Sequence, residues 1–211
     1  AWLNCLVNII DDKDVWTKLP WSLLWVYDKL ILSKKLGHLC GPAGVPVPEK
    51  NDYVVRPITN IHMMGKGARI QNLSPEDEIE PGYFWCEVFK GEHITVDYHY
   101  GQQKTTAKGY PRQDRLDRFD KWELIDKKMP FPERLGTDVC NYHRMHNLDW
   151  TNIEYIGGKV IEVHFRYNDD FENHNGKVIY PVWKDEQLPQ PKDSIWYDSP
   201  CGDRLGHWIV E

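Results

Sequence analysis

Residues 149–166 read DWTNIEYIGGKVIEVHFR, and the fold turns on this stretch. Gly157-Gly158 is a two-residue turn signal between NIEYI and KVIEVHFR, so 152–166 predicts a β-hairpin. In the second strand a period of two sets Lys159, Ile161, Val163 and Phe165 on one face, and Val160, Glu162, His164 and Arg166 on the other. The first face is expected against the core. The second aligns a carboxylate, an imidazole and a guanidinium, each about 7 Å from the next by strand rise. Asp149 leads into the same hairpin and is expected to approach Glu162 across the pair. Two converging carboxylates repel unless a cation lies between them. On the residues alone this face reads in two ways: a solvated polar surface on a half-exposed sheet, or a phosphate and metal site.

Working outward, 83–100 predicts two strands separated by Lys90-Gly91. In the second, Ile94, Val96, Tyr98 and Tyr100 face one way, and His93, Thr95, Asp97 and His99 the other. Tyr53–Pro57 predicts a strand, followed by the glycine-containing loop MMGKGA at 63–68. Residues 21–36 predict a helix with Leu23, Val26, Tyr27, Leu30 and Ile31 at helical spacing and Gly37 as its cap. The Pro/Gly-rich run 38–50 predicts a loop. Residues 114–128 predict an amphipathic helix with Leu116, Phe119, Trp122, Leu124 and Ile125 inward, and 137–147 a second helix. The segment 181–211 is rich in Pro, Trp and Asp without strong periodicity, and 1–19 has no decisive pattern. Strands outnumber helices and are mixed among them, so the expected class is α+β.

Composition narrows the function. The chain has 211 residues, 26 Lys and Arg against 32 Asp and Glu, and a formal charge of −6; 41% of it is hydrophobic and 27% charged. That is the balance of a folded globular chain. Acidity disfavours sequence-blind nucleic-acid binding. The longest apolar run, Leu19 to Val26, falls far short of the ~18 residues of a membrane-spanning helix, so no membrane partner is expected. Leu3–Ile10 lacks a preceding basic residue, is broken by Asn4 and Asn8 and is followed by Asp11 and Asp12, unlike a secretory signal. Cys5, Cys40, Cys86, Cys140 and Cys201 are scattered without a CxxC pair, so reduced thiols and a cytoplasmic setting are expected. Ten Trp and 14 Pro suggest irregular segments pinned by aromatic anchors. The Trp-rich parts at 2–25 and 183–208 read either as such packing or as a stacking or partner surface. His143 and His146 stand one helical turn apart, which alone makes no metal site. Asp169-Asp170 beside Asn168 reads as a polar loop or as a metal or amine contact. No G-x-S-x-G elbow, Walker A loop or HExxH helix occurs.

The hairpin also resembles the metal-binding segment of ATP-grasp enzymes, in which an acidic residue opens one strand and the return strand ends in E-x-N or E-x-N-x-R. Here the separation of Asp149 and Glu162 is 162 − 149 = 13 residues. Further pieces resemble that superfamily in its own order: Tyr27-Asp28-Lys29-Leu30, Gly44-Val45-Pro46-Val47-Pro48, Val54-Val55-Arg56-Pro57, Met64-Gly65-Lys66-Gly67-Ala68, and Trp85–Glu92 as the hinge. The resemblance spans 27–166. It implies two β-rich subdomains enclosing a nucleotide site. Residues 1–50 would form a reduced N-terminal segment, 51–100 the lid and hinge, and 101–211 the catalytic part with its Trp/Pro-rich tail. It further implies that Arg56 and Lys66 hold the phosphates of ATP, Glu87, Val88 and Phe89 the adenine edge, and Glu92 the ribose. Asp149, Glu162 and His164 would hold Mg2+ or Mn2+, and Arg166 would stabilise the transferring phosphoryl group. Arg56 stands where the family has Lys. His164 stands where it has Asn, and imidazole suits manganese or zinc better than magnesium. The implied function is an ATP-dependent ligase that activates a small-molecule or peptide carboxylate as an acyl phosphate for an amine-type nucleophile. The alternative is a catalytically inactive ATP-grasp-derived structural or interaction protein, with a protein partner or a second copy of itself.

Overall fold

The computed structural model describes residues 12–59, 65–112, 115–136, 138–171, 177–186 and 188–211. The chain begins with helix α1 (Asp12–Lys18), a 3-10 turn (Trp21–Tyr27) and helix α2 (Lys29–Lys35). Strands β1 (Cys40–Pro42), β2 (Asn51–Pro57), β3 (Arg69–Leu73), β4 (Tyr83–Glu87), β5 (His93–His99), β6 (Gln102–Pro111) and β7 (Phe119–Leu124) follow. Helix α3 (Val139–His146) precedes β8 (Trp150–Ile156), β9 (Lys159–His164), β10 (Val178–Trp183), β11 (Ser194–Cys201) and β12 (Arg204–Val210). The strands form a four-stranded sheet in the order β1-β4-β2-β3 and an eight-stranded sheet in the order β11-β12-β10-β7-β6-β5-β8-β9. The class is α+β. Among the described residues no helix is long and apolar enough to cross a membrane.

The hairpin at β8–β9 turns through Gly157 and Gly158, with φ of 57° and 81°, where glycine sits without strain. One feature of its register differs from simple alternation. Glu154 faces Glu162 but Tyr155 faces Val160, so Ile161 is an extra residue and β9 bulges there. Val160 therefore joins Val163 and Phe165 in the core, and Ile161 turns to the opposite face with Glu162, His164 and Arg166. The expected places of Val160 and Ile161 are exchanged, while the three polar residues stay together.

The main core lies behind β5, β8 and β9. Ile94, Val96, Tyr98, Ile153 and Val163 pack there against Leu23, Val26 and Leu32 of the N-terminal helical segments and Met145 of α3. A second core behind the small sheet joins Val47, Tyr53, Val55, Leu73 and Trp85. A third gathers Ala107, Trp122, Phe171, Ile179 and Ile209 at the other end of the large sheet.

Several expected elements change. The helix over 21–36 is split at Asp28, whose extended backbone ends the 3-10 turn and whose side chain caps α2 by accepting from Ile31 N–H at 2.8 Å. The loop 38–50 contains β1, which pairs with β4. The helix expected over 114–128 is instead strand β7, hydrogen-bonded between β6 and β10. Its short apolar set suits either period, and the two flanking strands decide. The aperiodic tail forms β11 and β12, bulged between Asp198 and Cys201. Of the loop at 63–68, Met63 and Met64 lie outside the described residues, as does Cys5. Cys40, Cys86 and Cys140 are free thiols.

Candidate functional site

The two sheets enclose a cleft of about 550 Å³. At one end its wall is the crossing from β4 to β5, where Cys86, Glu87, Val88 and Phe89 meet Val54, Ile156 and Ile161. The Glu87 carboxylate accepts from the Leu39 N–H at 3.1 Å and from Lys159 Nζ at 3.1 Å. Partial burial opposes its ionisation, but these two donors outweigh it and lower its pKa. Lys159 also lies 4.6 Å from the Phe89 ring centroid. The crossing is held tightly against the hairpin, since a Cβ on Gly157 would sit 2.1 Å from Lys90 O.

The middle of the cleft is cationic. Arg56, on β2 and only 8% exposed, stands over the Phe84 ring and donates from Nη2 to Ile161 O at 3.0 Å. Its Nε has no hydrogen-bond partner among the described residues. Lys29, 4% exposed, opens α2 and is fixed there because its backbone N–H donates to Ile58 O at 2.7 Å, just past the end of β2. Its Nζ lies 2.8 Å from Glu162 Oε1. From Glu162 a chain of charges runs inward. His164 Nε2 is 3.2 Å from the same Oε1, and His164 Nδ1 is 3.0 Å from Asp12 Oδ2. Arg166 Nη2 reaches that Asp12 oxygen at 3.1 Å, and the Tyr27 hydroxyl donates to Asp12 Oδ1 at 3.2 Å. Asp12 is fully buried. Burial would raise its pKa, but the charges and hydrogen bonds of His164 and Arg166 bring it down to about 2. Burial would lower the His164 pKa, but Asp12 above all, with Glu162, lifts it to about 9. Lys29 leads the groups that hold Glu162 well below the usual carboxylate range against its own desolvation. His164 is thus an imidazolium between two carboxylates.

The structure gathers Arg56, Glu87, Val88, Phe89, Glu162, His164 and Arg166 along one cleft, and it does not bring Lys66, Glu92 or Asp149 there. Lys66 is exposed and pairs with Asp203 at 3.1 Å, so its loop touches the far end of the large sheet. Glu92 faces solvent between Lys108 and Lys127, at 2.8 and 3.0 Å, which hold its pKa at about 2. Asp149 does not converge on Glu162. Pairing of β8 with β9 begins at Asn152 opposite His164, so Asp149 lies three residues beyond, exposed, where its backbone carbonyl accepts from Tyr100 N–H at 3.0 Å. The position facing Glu162 belongs to Glu154, whose carboxylate is 2.9 Å from His93 Nε2.

These residues do not fit a protein-held magnesium. The expected second carboxylate is elsewhere, both ring nitrogens of His164 face carboxylates, and Glu162 Oε1 is shared by a lysine and that imidazolium. Among the described residues no group of three or more His, Cys, Asp or Glu side chains is placed to hold a metal ion. Sequence reasoning missed Lys29 and Asp12. Lys29 had a signal, since Asp28-Lys29 stands where an N-cap starts a helix. Asp12 had none, because its role arises only when the first residue of α1 meets His164 of β9 in the folded chain.

No family profile matches the chain, and no curated protein matches it in sequence. Its fold has counterparts among solved structures. N5-carboxyaminoimidazole synthetase from Staphylococcus aureus, solved with ADP, superposes with a TM-score of 0.53 at 12% identity, over 90% of this chain and 68% of the synthetase. An ATP-grasp superfamily protein from Archaeoglobus fulgidus gives 0.48 at 15% identity, over 88% of this chain and 64% of that one. The ATP-grasp ligase PsnB, bound to a precursor variant, Mg and ADP, gives 0.43 at 15%, over 71% and 52%. The chain therefore spans about half to two thirds of the length of these proteins. Its small antiparallel sheet faces a large one, and the synthetase superposes over nine tenths of this chain, so the two share one fold, the ATP-grasp fold.

Proposed function

We propose that the cleft binds MgATP and that the chain serves an ATP-dependent ligase, activating a carboxylate for an amine-type nucleophile. The observation that carries this reading is Arg56: a guanidinium 8% exposed in the cleft wall, with one hydrogen bond to Ile161 O and a bare Nε, in a cleft that Lys29 and Arg166 also line. A buried cation with donors to spare suits phosphate oxygens, which guanidinium meets in bidentate fashion. In this reading adenine lies between Val54, Ile161 and the 86–89 crossing, and the phosphates lie toward Arg56 and Lys29. Lys66 can exchange Asp203 for a phosphate oxygen, because an exposed pair contributes only about 0–1 kcal/mol.

The chemistry is two displacements. A substrate carboxylate oxygen attacks the γ-phosphorus, the bond to the β,γ-bridging oxygen breaks, and ADP leaves. An amine then attacks the acyl carbon, the acyl C–O bond breaks, inorganic phosphate leaves, and the ammonium proton passes to solvent. The chain supplies positioning and positive charge: Arg166, held by Asp12, faces the region where charge develops. Isothermal calorimetry with MgATP tests the binding. A Kd in the micromolar range, weakened at least ~10-fold in Arg56→Ala, supports the reading; an absent heat with the folded wild-type chain defeats it.

A second reading has an observation of its own. Glu162 and His164 are neutralised within the chain rather than left to a metal. In this reading MgATP binds and no phosphoryl group moves, as in an interaction protein derived from a ligase. Carboxylate-dependent ADP release above the buffer blank excludes it.

A further inference from the structure

From the Arg166 region the cleft continues across the large sheet toward β7, β10 and β12, and its character changes. Phe119, Trp122, Pro181 and Trp183 line it there, with Leu116 and Pro200 at the rim. Trp122 and Trp183 are 7% and 4% exposed. Phe119 and Trp122 lie 4.2 Å apart between centroids and are tilted by 36°. Their closeness to the sheet depends on Gly109, which faces Trp122 across β6–β7; a Cβ there would meet both rings at 2.7 Å. The Arg118 guanidinium lies over the Trp183 ring, 4.7 Å from its centroid. Among the described residues, the charged groups lining this end have counterions within the chain. Asp117 takes two hydrogen bonds from Arg115, at 3.0 and 2.8 Å. Glu154 pairs with His93, Asp170 takes Arg204 Nη1 at 2.6 Å, and Arg118 bonds Asp185 at 2.9 Å.

A compartment of this kind is walled by aromatic rings and proline, with its described charges already paired. An ionic group carried into it would lose water without gaining a counterion, whereas a ring gains stacking and burial. We infer that this end of the cleft seats the body of the substrate, and that the acid activated carries a flat apolar group, an aryl ring or its equivalent. Its carboxylate would then point back toward Arg166 and the phosphates. The inference rests on the ligase reading for what happens to that carboxylate; the compartment itself does not need ATP to bind a ring.

The test uses 3-(4-fluorophenyl)propanoate as the probe, followed by 19F NMR on the full chain without nucleotide, with propanoate as competitor. The expected result is saturable binding, with propanoate at least ~10-fold weaker, the effect of burying one ring. Trp183→Leu and Trp122→Leu are expected to weaken the probe about 5-fold or more, since each keeps an apolar side chain but loses the stacking face. Gly109→Ala, which displaces both rings while leaving each in the chain, is expected to do the same and serves where a tryptophan variant does not fold. Equal binding of propanoate and the aryl acid, or an aryl Kd untouched by folded Trp183→Leu and Gly109→Ala, overturns the inference. Calorimetry with MgATP on the same sample separates the two readings. Ring-selective binding with no MgATP heat sinks the ligase reading and leaves the compartment standing; MgATP heat without ring selectivity does the reverse.

Discussion

Arg56 and His164 show how one side chain acquires its chemistry from burial. Arg56 is expected to be dispensable for folding, because its replacement removes one hydrogen bond to Ile161 O and one contact with the Phe84 ring. Arg56→Ala should weaken MgATP by about 10- to 100-fold, the scale of one or two charge-assisted hydrogen bonds, with the thermal midpoint little changed; calorimetry and a melting scan read both. His164 behaves oppositely. Its folded pKa of about 9 lies above its ordinary 6.5, so its contribution is fully present below pH 6.5 and fades as pH rises through 9. That contribution is on the order of 3 kcal/mol. Asp12, held at about 2 against 3.8, adds stability above pH 3.8 that is lost as pH falls toward 2. Urea midpoints should therefore fall between pH 6.5 and 9 in the wild type. His164→Gln should lower the midpoint at pH 6 and flatten that slope; an unchanged slope would show that the imidazolium is not its source. At this scale Glu162, His164 and Arg166 were legible together from a period of two, and Asp149 was not excluded. A separation of 13 residues sets distance along the chain but not the register that carries Asp149 past the end of the paired strand.

The hairpin β8–β9 is the element on which the site is built, and its two turn glycines differ in a measurable way. Gly158 has φ of 81° and open space around its missing Cβ, whereas Gly157 has φ of 57° and a Cβ would lie 2.1 Å from Lys90 O. Gly158→Ala should cost only left-handed strain, about 1–2 kcal/mol. Gly157→Ala should cost clearly more and should also weaken MgATP, because relief of the clash pushes the 86–89 crossing away from the hairpin. Urea denaturation and calorimetry of the two variants check both statements, and equal stabilities would refute the packing argument. The hairpin itself was readable because Gly-Gly between β-branched runs has few other uses. The bulge at Ile161 was not, since one inserted residue leaves no compositional mark and is detected only by pairing with β8. Strand β7 departs from the expected helix for a related reason: a short run such as FDKWEL satisfies either period, and hydrogen bonds to β6 and β10 choose between them.

Across the whole molecule, two sheets contribute opposite walls of one cleft, and among their contacts are Arg56 with Ile161 O, Lys159 with Glu87, and Lys66 with Asp203. A ligand filling the cleft should therefore stabilise both layers together. At 100 times its Kd, MgATP should raise the free energy of unfolding by about 2.7 kcal/mol, and the gain should shrink with the affinity in Arg56→Ala. Thermal melts at graded MgATP measure it, and a melting temperature independent of MgATP would contradict occupancy of the cleft. The exposed Lys66–Asp203 contact should matter little to this: Asp203→Ala is expected to change stability by less than about 1 kcal/mol.

By itself the sequence determined the α+β class, the hairpin, the strand at 53–57, the two strands within 83–100, and the polar face of Glu162, His164 and Arg166. All of these follow from local periodicity and turn chemistry, which act over a few residues. Only the tertiary structure decided that Asp12 and Lys29 complete that face, that His164 is charged between two carboxylates, that Glu92 and Asp149 lie outside the cleft, and that an aromatic compartment adjoins it. Those outcomes depend on register, burial and partners 100 residues or more apart, such as Asp12 beside His164 and Arg56 beside Ile161. Burial and a neighbouring charge set the state of a titratable group, and neither is written in the residues beside it.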